Sequence, residues 1–266
     1  MGPVNQGLSE QLPELETTAD RFFNGDLSLD QPKSGPRTAI DAFFLAAAIP
    51  EPIQGTLRII EAGAGNGADS LALALRIAEI YCVGVELESR LVQLAQSNTY
   101  KNNLQERVQF VQGDVTQSQT MNNHPLLVRE GFDHAIANPP YYFSGSARQS
   151  KDEIKGRAYV HTLGDLDSWI RFLTTATSAK GSLTLIHLPE NLNLLLEVLD
   201  GRFGDLALFP LFPHVGKNAS RIIVQGVKGS RGGTTLHQGL VLHESNGEYT
   251  EEANRILRDC GSLKLR

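Results

Sequence analysis

The 266 residues are 41% hydrophobic and 20% charged, an ordinary soluble composition that fits one large domain or one domain with an appended lobe and rules out a fibrous or low-complexity chain. Its two cysteines, Cys82 and Cys260, have no metal-ligand spacing and exclude a disulfide framework, and a domain this long needs neither metal nor disulfide for stability. The net charge of −6 weighs against a uniformly basic surface, but the chain is polarised: residues 1–32 carry six acids against Arg21 alone, whereas no acid falls between Asp205 and Glu244.

In chain order, residues 1–20 are polar and lack sustained periodicity, so little regular structure is expected there. The apolar run "AIDAFFLAAAI" reads as a helix that Thr38 could cap and that Pro50 and Pro52 close; interrupted by Asp41, it is too short to span a bilayer. From "TLRIIEAG" onward, strands and helices alternate. "YCVGVELE" and "RVQFVQGD" are further strands, separated by the helix "SRLVQLAQSNTYKNNL", for which Ser89 is the expected cap. Residues 115–131 read as a polar loop, and "FDHAIANPP" as the fourth strand of the series. Helices near 165–179 and 190–202 then flank the strand "GSLTLIHLP". Two strands near 205–212 and 220–228 follow, then the strand "GLVLHE", a turn, and a short helix with Glu251 and Glu252 in its first turn. Such alternation predicts an α/β fold: a mostly parallel seven-stranded sheet covered on both faces, with an antiparallel C-terminal hairpin. Ligands of such folds bind beyond the carboxyl ends of the strands. With no basic flank leading into an apolar core at the N-terminus, no signal peptide and a cytoplasmic location are expected.

Three features fall at those carboxyl ends. "EAGAGNG" places Gly63, Gly65 and Gly67 between the first strand of the series and its helix, where the backbone must turn sharply and approach a ligand closely. The G-x-G-x-G spacing departs from the G-x-G-x-x-G of nicotinamide enzymes. Glu86 ends the next strand and Asp114 follows the third, so both carboxylates are expected in one crevice. Together these residues resemble the class I S-adenosylmethionine-dependent methyltransferases, whose fold is Rossmann-like. The resemblance implies a donor site in which Glu61, Ala62, Gly63, Gly65 and Gly67 back the methionine part. Glu86 and its neighbour Leu87 would hold the ribose, and Asp114 with Val115 the adenine; the product would be S-adenosylhomocysteine.

The fourth strand ends in "NPPY". Prolines cannot continue a sheet ladder, so Asn138, Pro139, Pro140 and Tyr141 form a fixed corner. The motif resembles that of methyltransferases acting on planar nitrogens of adenine, cytosine, guanine or glutamine amide. It implies that the Asn138 side-chain oxygen and the Pro139 carbonyl accept the two hydrogens of an amine, while Tyr141 stacks on the planar acceptor.

"LDQPKSGPRTAIDAFFLAAAIP" resembles the N-terminal segment of the bacterial tRNA adenine-N6 methyltransferases that modify the adenine beside the valine tRNA anticodon, position 37. It matches at Gln31, Gly35, Asp41 and Ala46–Ala48. This implies that Asp41 touches the donor or its neighbours; a capping box with Thr38 is the alternative, and both readings stay open. "LFPHVGKNASRIIVQGVKG" resembles the same group, and implies phosphate contacts for Lys217 and Arg221. Lys151 and Arg157 lie in the segment after the corner, which is equally a substrate lid or a solvated loop. His187 is expected to pack, and no metal cluster competes for the chemistry. The expected organisation is an N-terminal extension over 1–34, a methyltransferase domain over 35–230, and a tail over 231–266. The expected partner is tRNA, with neither membrane nor metal; a homo-oligomer is compatible with the sequence but not derivable from it. Glutamine-amide methylation of a protein, guanine-N2 methylation of ribosomal RNA, and an inactive nucleotide-binding module are the competing readings.

Overall fold

The computed structural model describes residues 15–34, 37, 38, 40–140 and 163–265. Five parallel strands form one end of the main sheet: β3 (Leu57–Ala62), β4 (Ile80–Glu86), β5 (Val108–Gln112), β6 (Phe132–Ala137) and β7 (Thr177–His187). Beyond β7 lie β9 (Arg221–Lys228), antiparallel to it, and β8 (Phe203–His214), so the order across these seven is β5-β4-β3-β6-β7-β9-β8. This is the expected seven-stranded arrangement. Two short strands from the tail, β10 (Thr234–Leu236) and β11 (Leu240–His243), pair parallel with β8 and make the sheet nine-stranded.

Helices cover both faces because nearly every central strand position is apolar on both sides. On one face lie α1 (Ile40–Ala47), α2 (Ala68–Arg76), α3 (Ser89–Lys101) and α6 (Glu251–Asp259); on the other lie α4 (Leu163–Ala176) and α5 (Leu192–Leu199). Ile59, Cys82 and Ile136 point into the first layer, whereas Ile60, Val83 and Ala135 point into the second, following the two-residue alternation of a strand. The register aligns the strand ends: Ala62 faces both Val85 and Ala137, and Glu86 faces Gln112.

Three expectations are corrected. Residues within 1–20 do form regular structure: β1 (Thr17–Phe22) pairs with β2 (Leu27–Pro32) in a hairpin whose Leu27 and Leu29 are fully buried. The cap of α3 is Glu88, with Ser89 already helical. Helix α4 ends at Ala176 instead of continuing to 179; the Thr177 hydroxyl donates to the Leu173 carbonyl and β7 starts there. Thr250 caps α6, its hydroxyl accepting from the Ala253 amide at 3.3 Å.

Candidate active site

The loop between β3 and α2 sits on the rim formed by the aligned strand ends. All three glycines have positive φ: 72° at Gly63, 56° at Gly65 and 88° at Gly67. Their side-chain space differs, however. A Cβ on Gly63 would run into the Trp169 indole, and one on Gly67 would lie 2.7 Å from the Phe110 ring, so these two permit packing. A Cβ on Gly65 would meet nothing within 4 Å. That is where a ligand has room. The Gly63 and Ala64 amides donate to the Val85 carbonyl at 2.8 and 3.1 Å, tying the loop to β4, while Ala62 itself is buried in the sheet.

Glu86 is half-buried at the tip of β4. One carboxylate oxygen accepts from the Gly65 amide and the other from the Glu88 amide, both at 2.9 Å. Burial raises its pKa above the ordinary glutamate value, a shift partly opposed by those amides. Each oxygen retains a lone pair for a hydroxyl. Leu87 beside it is 58% exposed, an apolar surface at the same rim. Asp114 follows β5; its Oδ1 accepts from the Thr116 amide at 2.9 Å and hydroxyl at 2.6 Å. Its Oδ2 meets no donor among the described residues, and the next residue, Val115, is buried.

Glu61, implied to back the methionine part, sits at the end of β3 beneath the glycine loop. It is buried, its carboxyl accepts from the Ser70 hydroxyl of α2, and it lies within reach of Asp69. Burial and then the Asp69 charge push Glu61 well up, while burial and the Asp41 charge raise Asp69 from 3.8 to about 7. Both shifts favour the protonated carboxyl in the folded state. Because the folded state then binds more protons than the unfolded one, this pair costs stability as pH rises from about 4 towards 7. Asp69→Asn should therefore flatten the fall of Tm over that range and raise Tm at pH 8 by several degrees, measurable by thermal melts across pH.

Of the two readings open for Asp41, the capping box loses one of its bonds, because the Thr38 amide donates to Gln31 Oε1 at 2.7 Å. Its Oδ2 accepts from Arg221 Nε at 2.8 Å, with side-chain exposures of 6% for Asp41 and 27% for Arg221. The Arg221 guanidinium, expected on an RNA face, is thus held by an inward carboxylate and the Ser220 carbonyl. Lys217 stays exposed on the turn between β8 and β9. His187 ends β7 opposite Ile222; burial pulls its pKa down to about 4, with Arg221 adding to the shift, so it is neutral. Asn138 follows β6 directly at the rim and is half-buried, with Pro139 buried and every peptide bond of the described residues trans. Tyr141, Lys151 and Arg157 lie outside the described residues. No group of three metal-ligating side chains occurs among the described residues, and no described helix is long and apolar enough to cross a membrane.

A glycine loop, two carboxylates at successive strand ends and an Asn-Pro-Pro corner thus share one rim. Residues 53–196, more than half of the chain, match the family model described as a methyltransferase domain. The chain is a member of that methyltransferase family. This methyltransferase is 26% identical over 227 residues to the tRNA1(Val) (adenine(37)-N6)-methyltransferase of Yersinia pestis (strain Pestoides F), covering 84% of this chain and 86% of the relative. The corresponding protein of Yersinia pseudotuberculosis serotype O:1b (strain IP 31758) gives the same figures. Among solved structures, a predicted O-methyltransferase from Agrobacterium tumefaciens superposes with a TM-score of 0.71 at 25% identity, over 85% of this methyltransferase and 99% of that chain. The P. horikoshii protein TYW2 shares the fold at a TM-score of 0.53 and 10% identity, over 80% of this chain and 72% of that one.

Proposed function

We propose that the methyl donor is S-adenosylmethionine and that the acceptor is the exocyclic N6 amine of an adenine in tRNA, at position 37. The observation that carries this reading is the Asn138-Pro139 corner leaving β6 on the same rim as the open side of Gly65. The donor fits the residues present. Gly65 leaves room for its methionine end, Glu86 has lone pairs for two ribose hydroxyls, and Asp114 Oδ2 has acceptor capacity for the adenine amine. When bound, this donor supplies an electrophilic methyl group on a sulfonium sulfur and departs as S-adenosylhomocysteine.

The chain's own residues orient the acceptor. An exocyclic amine is a weak nucleophile because its lone pair is delocalised into the ring. Two fixed oxygens, Asn138 Oδ1 and the Pro139 carbonyl, accept its two hydrogens and turn the lone pair towards the methyl carbon. As the nitrogen gains the methyl group it becomes positive, a charge the two oxygens stabilise, and it then releases one proton to water. Asn138 has no proton affinity at neutral pH. It suits an amine, which loses its proton after transfer, better than a hydroxyl, which needs a base beforehand. This distinction favours nitrogen over the oxygen acceptor in the name of the Agrobacterium neighbour. The names of the Yersinia relatives support adenine in tRNA over a protein amide or ribosomal guanine. An adenine in structured RNA must be splayed out to reach the corner.

Two measurements test the reading. S-adenosylmethionine a hundredfold above its Kd should raise Tm by roughly 5–10 °C, and Glu86→Ala should abolish that rise. No shift at millimolar donor refutes the cofactor. Radiolabelled methyl transfer to total RNA and total protein in parallel, followed by nucleoside analysis, should yield N6-methyladenosine; label in protein alone refutes the acceptor.

A further inference from the structure

We infer that the N-terminal hairpin is a clasp on the donor loop and that Asn98 is a positioning residue for donor binding, an inference that rests on the donor reading above. Asn98 lies on α3 with no exposed surface. Its Oδ1 accepts from the Asp30 amide at 2.8 Å, and its Nδ2 donates to the Asp30 carbonyl at 3.0 Å. The second Nδ2 hydrogen goes to the Asn66 carbonyl, also at 3.0 Å. Asn66 stands between Gly65 and Gly67. One buried amide therefore joins the hairpin, the helix and the glycine loop.

The docking is built like a strand pairing. One turn further on, at the C-cap of α3, Asn102 Oδ1 accepts from the Ser28 amide at 2.9 Å and its Nδ2 donates to the Ser28 carbonyl at 2.7 Å. Four helical residues rise about 6 Å and two strand residues about 6.6–6.8 Å, so the two amide side chains match successive outward-facing peptide groups of β2. They stand in for a neighbouring strand on what would be an open edge. Lys101 adds an ion pair to Asp30 at 2.6 Å.

A second route reaches the same loop residue. Gln31 donates to Asp20 at 2.6 Å and accepts from the Thr38 amide, and the Thr38 hydroxyl bonds Asn66 Oδ1 at 3.0 Å. The loop is thus pinned at Gly65 by Glu86 and at Asn66 by the hairpin system. A loop with three glycines at positive φ has much conformational freedom to lose on binding. Holding Asn66 removes part of that loss in advance, which strengthens donor binding without any contact to the donor. By linkage the effect is reciprocal: donor binding must tighten hairpin docking by the same factor.

The test compares the full-length protein with Asn98→Ala and Asn102→Ala. It measures donor Kd by calorimetry, kcat at saturating donor, and amide exchange at Ser28 and Asp30 with and without S-adenosylhomocysteine. Asn98→Ala should raise donor Kd about tenfold with kcat changed less than about twofold, and Asn102→Ala, which touches the docking but not the loop, should raise it about threefold. In the wild type S-adenosylhomocysteine should slow exchange at both amides, and in Asn98→Ala it should not. Variants that melt lower yet bind donor with wild-type Kd, or hairpin amides indifferent to the ligand, would overturn the clasp. If Asn98→Ala does not fold, Asn102→Ala decides by the same criteria. A wild type that binds no donor refutes the donor reading itself, whereas a wild type and variants that bind it equally refute only the clasp.

Discussion

Asn138→Ala should lower kcat about 10²–10³-fold, the usual consequence of losing one preorganised hydrogen-bonding group at a reacting centre, while donor Kd stays within about twofold. The separation follows from the geometry. Asn138 leaves β6, whereas Gly65, Glu86 and Asp114 belong to the ends of β3, β4 and β5 on the other side of β6. Alanine keeps the backbone and leaves Pro139 buried, so the corner itself should survive. Asn138→Asp keeps an acceptor oxygen at the same place and should retain more activity than alanine. Single-turnover transfer with a tRNA transcript, alongside donor calorimetry, checks both. Equal loss of binding and chemistry in Asn138→Ala would make the residue a structural member of the rim.

The sheet and its rim were legible because hydrophobic periodicity and turn chemistry agree there. The central strands are short apolar runs, closed by Gly63 after β3, Gly113 after β5 and Asn138 after β6, and Glu86, Asp114 and Asn138 each stand at a break in the pattern. The hairpin was hidden by the polar composition around it, although its signals are present. Asn24-Gly25 is a hairpin-turn pair, both residues have positive φ, and Leu27 and Leu29 alternate with polar neighbours. Asn98 and Asn102 also left a trace. They continue the buried stripe of Leu91 and Ala95 at helical spacing, where an amide is out of place unless something hydrogen-bonds to it. What no local pattern carries is a pairing such as Asp41 with Arg221, 180 positions apart, which exists only because β9 runs antiparallel to β7 and brings its first residue back to the rim.

That pairing makes Arg221→Ala a stability experiment before it is an RNA experiment. Asp41 is buried, and its charge already helps to raise the pKa of Asp69 nearby. Removing the guanidinium takes a 2.8 Å ion-pair partner from a carboxylate in a poorly solvated place. Breaking one side of a buried pair costs about 3–5 kcal/mol, so Tm should fall by about 10 °C at pH 7. Adding Asp41→Asn to Arg221→Ala removes the buried charge and should recover part of the loss. Lys217→Ala should behave in the opposite way. Its ammonium is exposed on the β8–β9 turn, so Tm should hold within about 1 °C. If Lys217 meets a phosphate, tRNA affinity should weaken and the slope of log K against log salt should lose about one unit. Melting curves and filter binding over a salt series separate the two cations. If Arg221→Ala keeps its Tm and loses only salt-dependent affinity, the guanidinium serves the RNA and not Asp41.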